Sequence, residues 1–430
     1  MSALLKAKQE TLALRLAALS QPAGGSWVSA ARADALARLQ AMGLPGRRDE
    51  YWRYTDPAAF NAVTPAAVTP AAADAVVPFD AIERVKLYFV DGVYDAARSD
   101  SLELAGVELS RLADVAGTDS HWAAELYGKL EANGQKPVER HFAVLNTAFA
   151  ADGLLIRVTG QAERPLSLIY EQSSETSDVL LHHVLKLEEG AEFTLLENGV
   201  GAARFNSVME VEVGKGATFH HVRTQGRDSD RSAITHIFAR IGSESTFKSF
   251  TMTANGTLTR NEAVLDLTGD DAFAHIAGAC VGDAGVKHDD TVFIIHGAER
   301  CESRQVFKKV LMNGATGIFQ GKILVKPGAQ KTDGYQISQS LLLDGDSQFL
   351  AKPELEIYAD DVKCSHGSTS GAIDETALYY LRSRGVPKRQ AEALLVLAFL
   401  AEAIGEIDDE TLGEEIRGRL ESWLTRHTND

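Results

Sequence analysis

Between positions 363 and 367 the sequence reads Lys363-Cys364-Ser365-His366-Gly367, a thiol and an imidazole two residues apart. In an extended segment such positions project to the same face, so Cys364 and His366 lie side by side with a lysine next to them. A nearby cation favours thiolate, and thiolate with neutral imidazole is the ligand chemistry of zinc and iron–sulfur centres. Such centres take about four donors, so this pair is half a site. The rest must come from elsewhere in the fold or from another chain. The competing reading is a half-buried cysteine beside a surface histidine, and the residues alone leave both open.

Other motifs fail. Gly321-Lys322 precedes Ile323 where a phosphate loop needs Ser or Thr for magnesium, and Thr316 replaces its first glycine, so no ATPase activity is expected. Gly367-Ser368-Thr369-Ser370-Gly371 has Thr at the place of a nucleophile-elbow serine. His182-His183 and His220-His221 sit in strand-like runs, where adjacent side chains diverge and cannot chelate one ion; one of each pair is expected to face solvent. Asp289-Asp290 and Glu354/Glu356 carry no defined separation in space. Cys280, Cys301 and Cys364 form no C-x-x-C pair and read as free thiols of a reducing compartment. No catalytic residue is assigned.

The elements that would position the thiol and imidazole are β-rich. From about Leu154, short strand-like runs separated by glycine turns continue for some 200 residues. A turn followed by an aromatic recurs at Phe193, Phe219, Phe247 and Phe273, a spacing of 26 to 28 residues, and Cys301 continues it. Such a period predicts a β-helix in which each coil stacks a strand on the last. A β-sandwich also has many short strands but no reason to keep a fixed period. The expected division is an N-terminal helical and mixed domain over 1–150, a β-helix core over 151–362 and a C-terminal helical domain over 363–430. Residues 61–78, rich in Pro, Ala and Thr, read as an irregular linker. In the C-terminal region Asp374 is a candidate N-cap. The run 391–404 (AEALLVLAFLAEAI) is so apolar that it must be covered on most sides, by a partner or by the region itself.

The 430 residues carry 43 basic and 60 acidic side chains, a net charge of −17, which argues against nucleic acid and anionic membrane surfaces as partners. No apolar run approaches the roughly 20 residues of a membrane helix, and charges interrupt the first 20 positions, so a cytoplasmic location is expected.

Residues 355–367 (LEIYADDVKCSHG), Asp374-Glu375 and 379–385 (YYLRSRG) closely resemble the SufB/SufD family of iron–sulfur cluster assembly proteins. The resemblance extends through 313–322 (NGATGIFQGK), Leu145-Asn146, Asp152-Gly153 and 50–55 (EYWRYT), and so covers essentially the whole chain. The KCSHG signature is similar to the SufD form, and 337–341 (ISQSL) has no thiol where SufB members carry one. The resemblance implies a right-handed parallel β-helix between helical terminal domains and a non-catalytic scaffold role. It implies pairing with SufB through the β-helix ends and docking of SufC, an ABC-type ATPase, on the C-terminal helices, where Leu394, Leu395, Leu397, Phe399 and Leu400 are the candidate contacts. It further implies a transient iron–sulfur cluster shared with SufB, with His366 as an iron ligand and Cys364 as its neighbour, and no cluster held by the isolated chain. A homodimer in isolation and a carbohydrate-active β-helix enzyme stand as alternatives.

Overall fold

The computed structural model describes residues 3–70, 77–226 and 230–427; part of the 61–78 linker lies outside them. From Leu154 the chain alternates between two sheets. Strands Leu166–Glu171, Glu192–Gly199, Thr218–Gln225, Thr246–Ala254, Phe273–Gly282, Glu302–Leu311, Asp333–Leu342 and Lys363–Gly371 stack in parallel in the first. Strands Leu154–Val158, Asp178–Leu187, Arg204–Val213, Ser232–Ile241, Leu258–Leu267, Lys287–His296, Thr316–Val325 and Gln348–Ile357 stack in the second. Short strands from the first 150 residues complete each to a 10-stranded sheet at its N-terminal end. This is a parallel β-helix, and its lumen is the main core.

The repeat in the sequence has a backbone cause. At one recurring turn of the coils a residue takes the left-handed conformation: Gly190 (φ 69°), Gly216 (64°), Glu244 (57°), Asp271 (59°), Arg300 (56°) and Lys331 (59°). Each donates its N–H to a carbonyl of the next coil's turn, as from Gly190 to Lys215 at 2.9 Å and from Glu244 to Asp270 at 2.8 Å. Glycine takes this conformation without steric penalty, and the later coils accept non-glycine residues there. Phe193, Phe219 and Phe247 are adjacent in register and stack in the lumen, with centroids 6.4 and 5.5 Å apart. Phe273 breaks the ladder. It pairs with Thr246 and not Phe247, so Ala274 takes the lumen place while Phe273 lies outside against His275.

Both outer faces are covered. On the second sheet Val184, Val208, Phe238, Val264 and Phe293 pack under the N-terminal domain with Val28, Leu112 and Tyr127. Tyr51 and Trp52 clamp this contact: Arg260 donates to the Tyr51 carbonyl at 2.9 Å and lies over the Trp52 ring at 4.2 Å. On the first sheet Val222, Phe250, Ala277 and Val306, neighbours in register, pack under helices Lys388–Ile404 and Glu410–His427. The 391–404 run is apolar because it sits between that sheet and the last helix. Asp374 caps helix Glu375–Ser383, accepting from the Thr376 and Ala377 amides at 2.8 and 3.2 Å.

Candidate half-site at the open end of the β-helix

The last coil consists of strands Gln348–Ile357 and Lys363–Gly371, each paired on one side only. The segment 363–371, counted above with the helical C-terminal region, is therefore the final rung of the first sheet. Its register sets Cys364 on Gly334 and His366 on Gln336. Alternation places the two side chains on one face, as the sequence predicts. Below them Gln336 is fully buried in the lumen, so the pair continues lumen columns up to the open end.

The Cys364 thiol is half-buried, packed against the cluster of Ile323, Val325 and Ala329. A Cβ on Gly334 would come within 3.2 Å of its Sγ, so glycine below leaves the thiol its room. Burial pushes the thiol above its ordinary pKa, with the Asp333 charge adding to the effect and a backbone hydrogen bond at Gly334 opposing it. The expected help from Lys363 does not arrive, because the lysine projects from the opposite, exposed side of the strand. His366 is exposed and has no hydrogen-bond partner among the described residues. No three His, Cys, Asp or Glu side chains converge to hold a metal among the described residues. Cys364 and His366 are thus a half-buried thiol and an exposed imidazole on one face of an edge strand whose N–H and C=O groups are open to a further strand.

The remaining candidates are placed elsewhere. Cys280 is fully buried and burial raises its thiol to about 12; the Cys301 thiol donates to the Gly269 carbonyl at 3.3 Å. Contrary to expectation, both His182 and His183 are fully buried, because the N-terminal domain covers the face that would otherwise be solvated. His182 stacks on Tyr127 at 4.3 Å with Nε2 2.9 Å from Glu210 Oε2, while His183 faces the lumen beside Tyr170. Asp289 turns to Arg260 under the N-terminal domain and Asp290 turns to Lys309 in the lumen, so these neighbours do not act together.

Of the candidate partner contacts, Leu400 is fully buried against the first sheet, and Leu397 and Phe399 are half-buried on the same cluster. Leu395 is half-buried, and Leu394 is 45% exposed. Sequence reasoning missed Tyr379 and Tyr380, which stand 75% and 54% exposed on the preceding helix. Their signal was available: both lie off the face defined by Ala377, Leu378 and Leu381. It also missed a buried network around Glu197. That carboxylate accepts from the Tyr170 hydroxyl at 2.7 Å and Arg223 Nε at 2.8 Å, with His221 Nε2 at 2.7 Å. Despite burial, the Arg223 charge and the hydrogen bond with His221 hold it well below the usual carboxylate range.

No helix among the described residues is long and apolar enough to cross a membrane. Residues 170–399 match the family model described as the SUF system FeS cluster assembly SufBD core domain, and residues 18–167 match the SufBD N-terminal region. The chain is 30% identical over 394 residues to the iron–sulfur cluster assembly protein SufD of Escherichia coli K12, covering 90% of each. It is 26% identical over 424 residues to an iron–sulfur cluster assembly SufBD family protein of Synechocystis, covering 91% of this chain and 89% of the relative. Identity to the SufD of Bacillus subtilis is 28% over 300 residues, 67% of this chain and 68% of the relative. With a β-helix whose last rung carries Cys364 and His366 on one face, the chain belongs to the SufBD family of the SUF iron–sulfur cluster assembly system and is similar within it to the proteins named SufD.

Proposed function

We propose that the chain is a non-catalytic scaffold subunit that lends His366, with Cys364 beside it, to an iron–sulfur cluster assembled against a partner of the same family, SufB. The observation that carries this reading is the place of the pair: two soft donors on the exposed edge strand that ends the β-helix. A second β-helix pairing along this edge would extend both sheets and bring its own ligands to the same point. The cluster is cargo here. It is built when the interface is complete and leaves when the interface moves.

The ATPase partner, SufC, docks on the C-terminal helices in this reading. Leu394, Tyr379 and Tyr380 present the exposed apolar surface there, with Leu395, Leu397 and Phe399 at its half-buried margin. Leu400 supports the helix from beneath. The setting is the cytoplasm, where thiols stay reduced. Anaerobic co-purification with SufB and SufC, followed by iron and sulfide analysis, tests the reading: a three-component complex that acquires both is expected. A chain that recruits neither protein contradicts it.

A further inference from the structure

The lumen holds one charge that the rest of the described chain does not answer. Arg231 is 1% exposed, and its Nε, Nη1 and Nη2 all lack hydrogen-bond partners. No other buried arginine among the described residues leaves all three nitrogens unsatisfied. An isolated buried charge costs on the order of several kcal/mol, so a folded chain keeps one where a counter-charge is supplied.

Among the described residues, the two carboxylates of this part of the lumen are already engaged. Glu197 is taken up by Tyr170, His221 and Arg223. Asp290 is paired with Lys309 and accepts from Asn261 Nδ2 at 3.0 Å. Burial, reinforced by the Arg223 charge, lowers Arg231 to about 10, with no carboxylate opposing it, so it is a cation at neutral pH. Three cations, Arg223, Arg231 and Lys309, face two anions, Glu197 and Asp290, where strands of the first sheet hand over to the second. One positive charge is left over.

Arg231 borders a small pocket of about 10 Å³, room for one water-sized body, lined also by Tyr170, Glu197, Phe205, Arg223 and Gln225. Gln225 Nε2 is committed to Thr253 Oγ1 at 3.0 Å and Asn261 Oδ1 at 2.7 Å, which leaves the Arg231 guanidinium and the Thr224 hydroxyl unpaired. A single surplus charge with one guanidinium to donate suits a small monovalent ion and not a phosphate or sulfate, which needs more donors. We propose that Arg231 forms a buried binding site for one small monovalent anion of the halide or hydrosulfide class. The proposal is independent of the cluster-assembly reading, because it is tested on the isolated chain.

The test uses bromide on the full chain. Crystals are soaked in bromide and the anomalous signal recorded, while thermal unfolding is followed as bromide replaces gluconate at constant ionic strength. The site predicts bromide density beside the Arg231 guanidinium and a saturable rise in Tm for the native chain, lost in Arg231→Met and Arg231→Gln. In gluconate alone Arg231→Met is expected to melt at or above the native chain, since the unanswered charge is gone. Equal bromide responses in native and variant chains, absence of density at Arg231, or density only at molar bromide with no change in Tm, an adventitious ion only, would each overturn the proposal. If the variants do not fold, density and saturation in the native chain decide. Displacement of bromide by hydrosulfide assigns the site to the sulfur anion, and displacement by chloride alone assigns it to halide; either displacement supports the site.

Discussion

Gln336 lies directly beneath His366 in the register of the last two rungs of the first sheet, and its Nε2 donates to Gln305 Oε1 at 3.0 Å. The same lumen column runs back through Ile276 and Ser249 to His221. His221 is sealed inside and Gln336 is fully buried, whereas His366 is exposed. One structural position therefore changes meaning along the solenoid, from core packing to a donor offered at an open end.

Truncation after Gly371 removes the three C-terminal helices and bares Val222, Phe250, Ala277 and Val306 on the first sheet. Such a contiguous apolar face is an aggregation liability. The truncated chain is expected to bind a hydrophobic dye strongly and to melt well below the full chain. A monodisperse truncated β-helix with unchanged Tm contradicts this packing.

Replacing Glu197 by Leu strands Arg223 in the lumen without its carboxylate. Breaking a buried pair in this way costs about 3–5 kcal/mol, and denaturant unfolding should register it as a lower midpoint at similar slope. Glu197→Gln, which keeps an acceptor, is expected to lose less.

Acid should destabilise the fold well before carboxylates titrate. Burial lowers His183, His236 and His296 to about 4 and His288 to about 3, against an ordinary histidine value of about 6.5. Between those limits the unfolded chain binds protons that the folded chain refuses, so stability rises with pH across the window and is lost on acidification. Each group adds up to about 1.4 kcal/mol per pH unit. Tm is expected to fall steeply from pH 6.5 to 4.5; a flat profile would mean these imidazoles are solvated.

Glu244→Gly should stabilise the chain by about 1 kcal/mol, because Glu244 holds a left-handed conformation that glycine adopts without strain. Its ion pair with Lys215, at 3.6 Å, is exposed and contributes little. Thermal unfolding checks the sign.

The β-helix was legible because its repeat is enforced locally: a left-handed residue at one recurring turn and, in three successive coils, an inward phenylalanine. The period misled at Phe273, where a one-residue shift in register turns the ring outward without altering the spacing much. What covers each outer face was not legible. Leu400 joins one cluster with Ala277 and Val306 of the first sheet, a meeting that their order in the sequence does not hint at, and both His182 and His183 are buried because a domain that precedes them in the sequence folds over their sheet. At the site, alternation was enough to place Cys364 with His366. That Lys363 points away follows from the same alternation, but the burial that raises the Cys364 thiol depends on Ile323 and Val325, a coil below.

The central claim is that His366 ligates the cluster from an interface. The measurement is iron and sulfide content, with the visible absorption of the cluster, after anaerobic reconstitution of the complex with SufB and SufC using native, His366→Ala and Cys364→Ser chains. Circular dichroism and co-elution serve as controls, since His366 is exposed and its removal leaves no cavity. The predicted result is an intact complex whose cluster yield falls at least about tenfold for His366→Ala, as loss of a ligand-shell interaction typically costs, and less for Cys364→Ser. A folded, fully assembled His366→Ala complex with native cluster yield would contradict the account, leaving residues 363–371 as a closing rung of the solenoid.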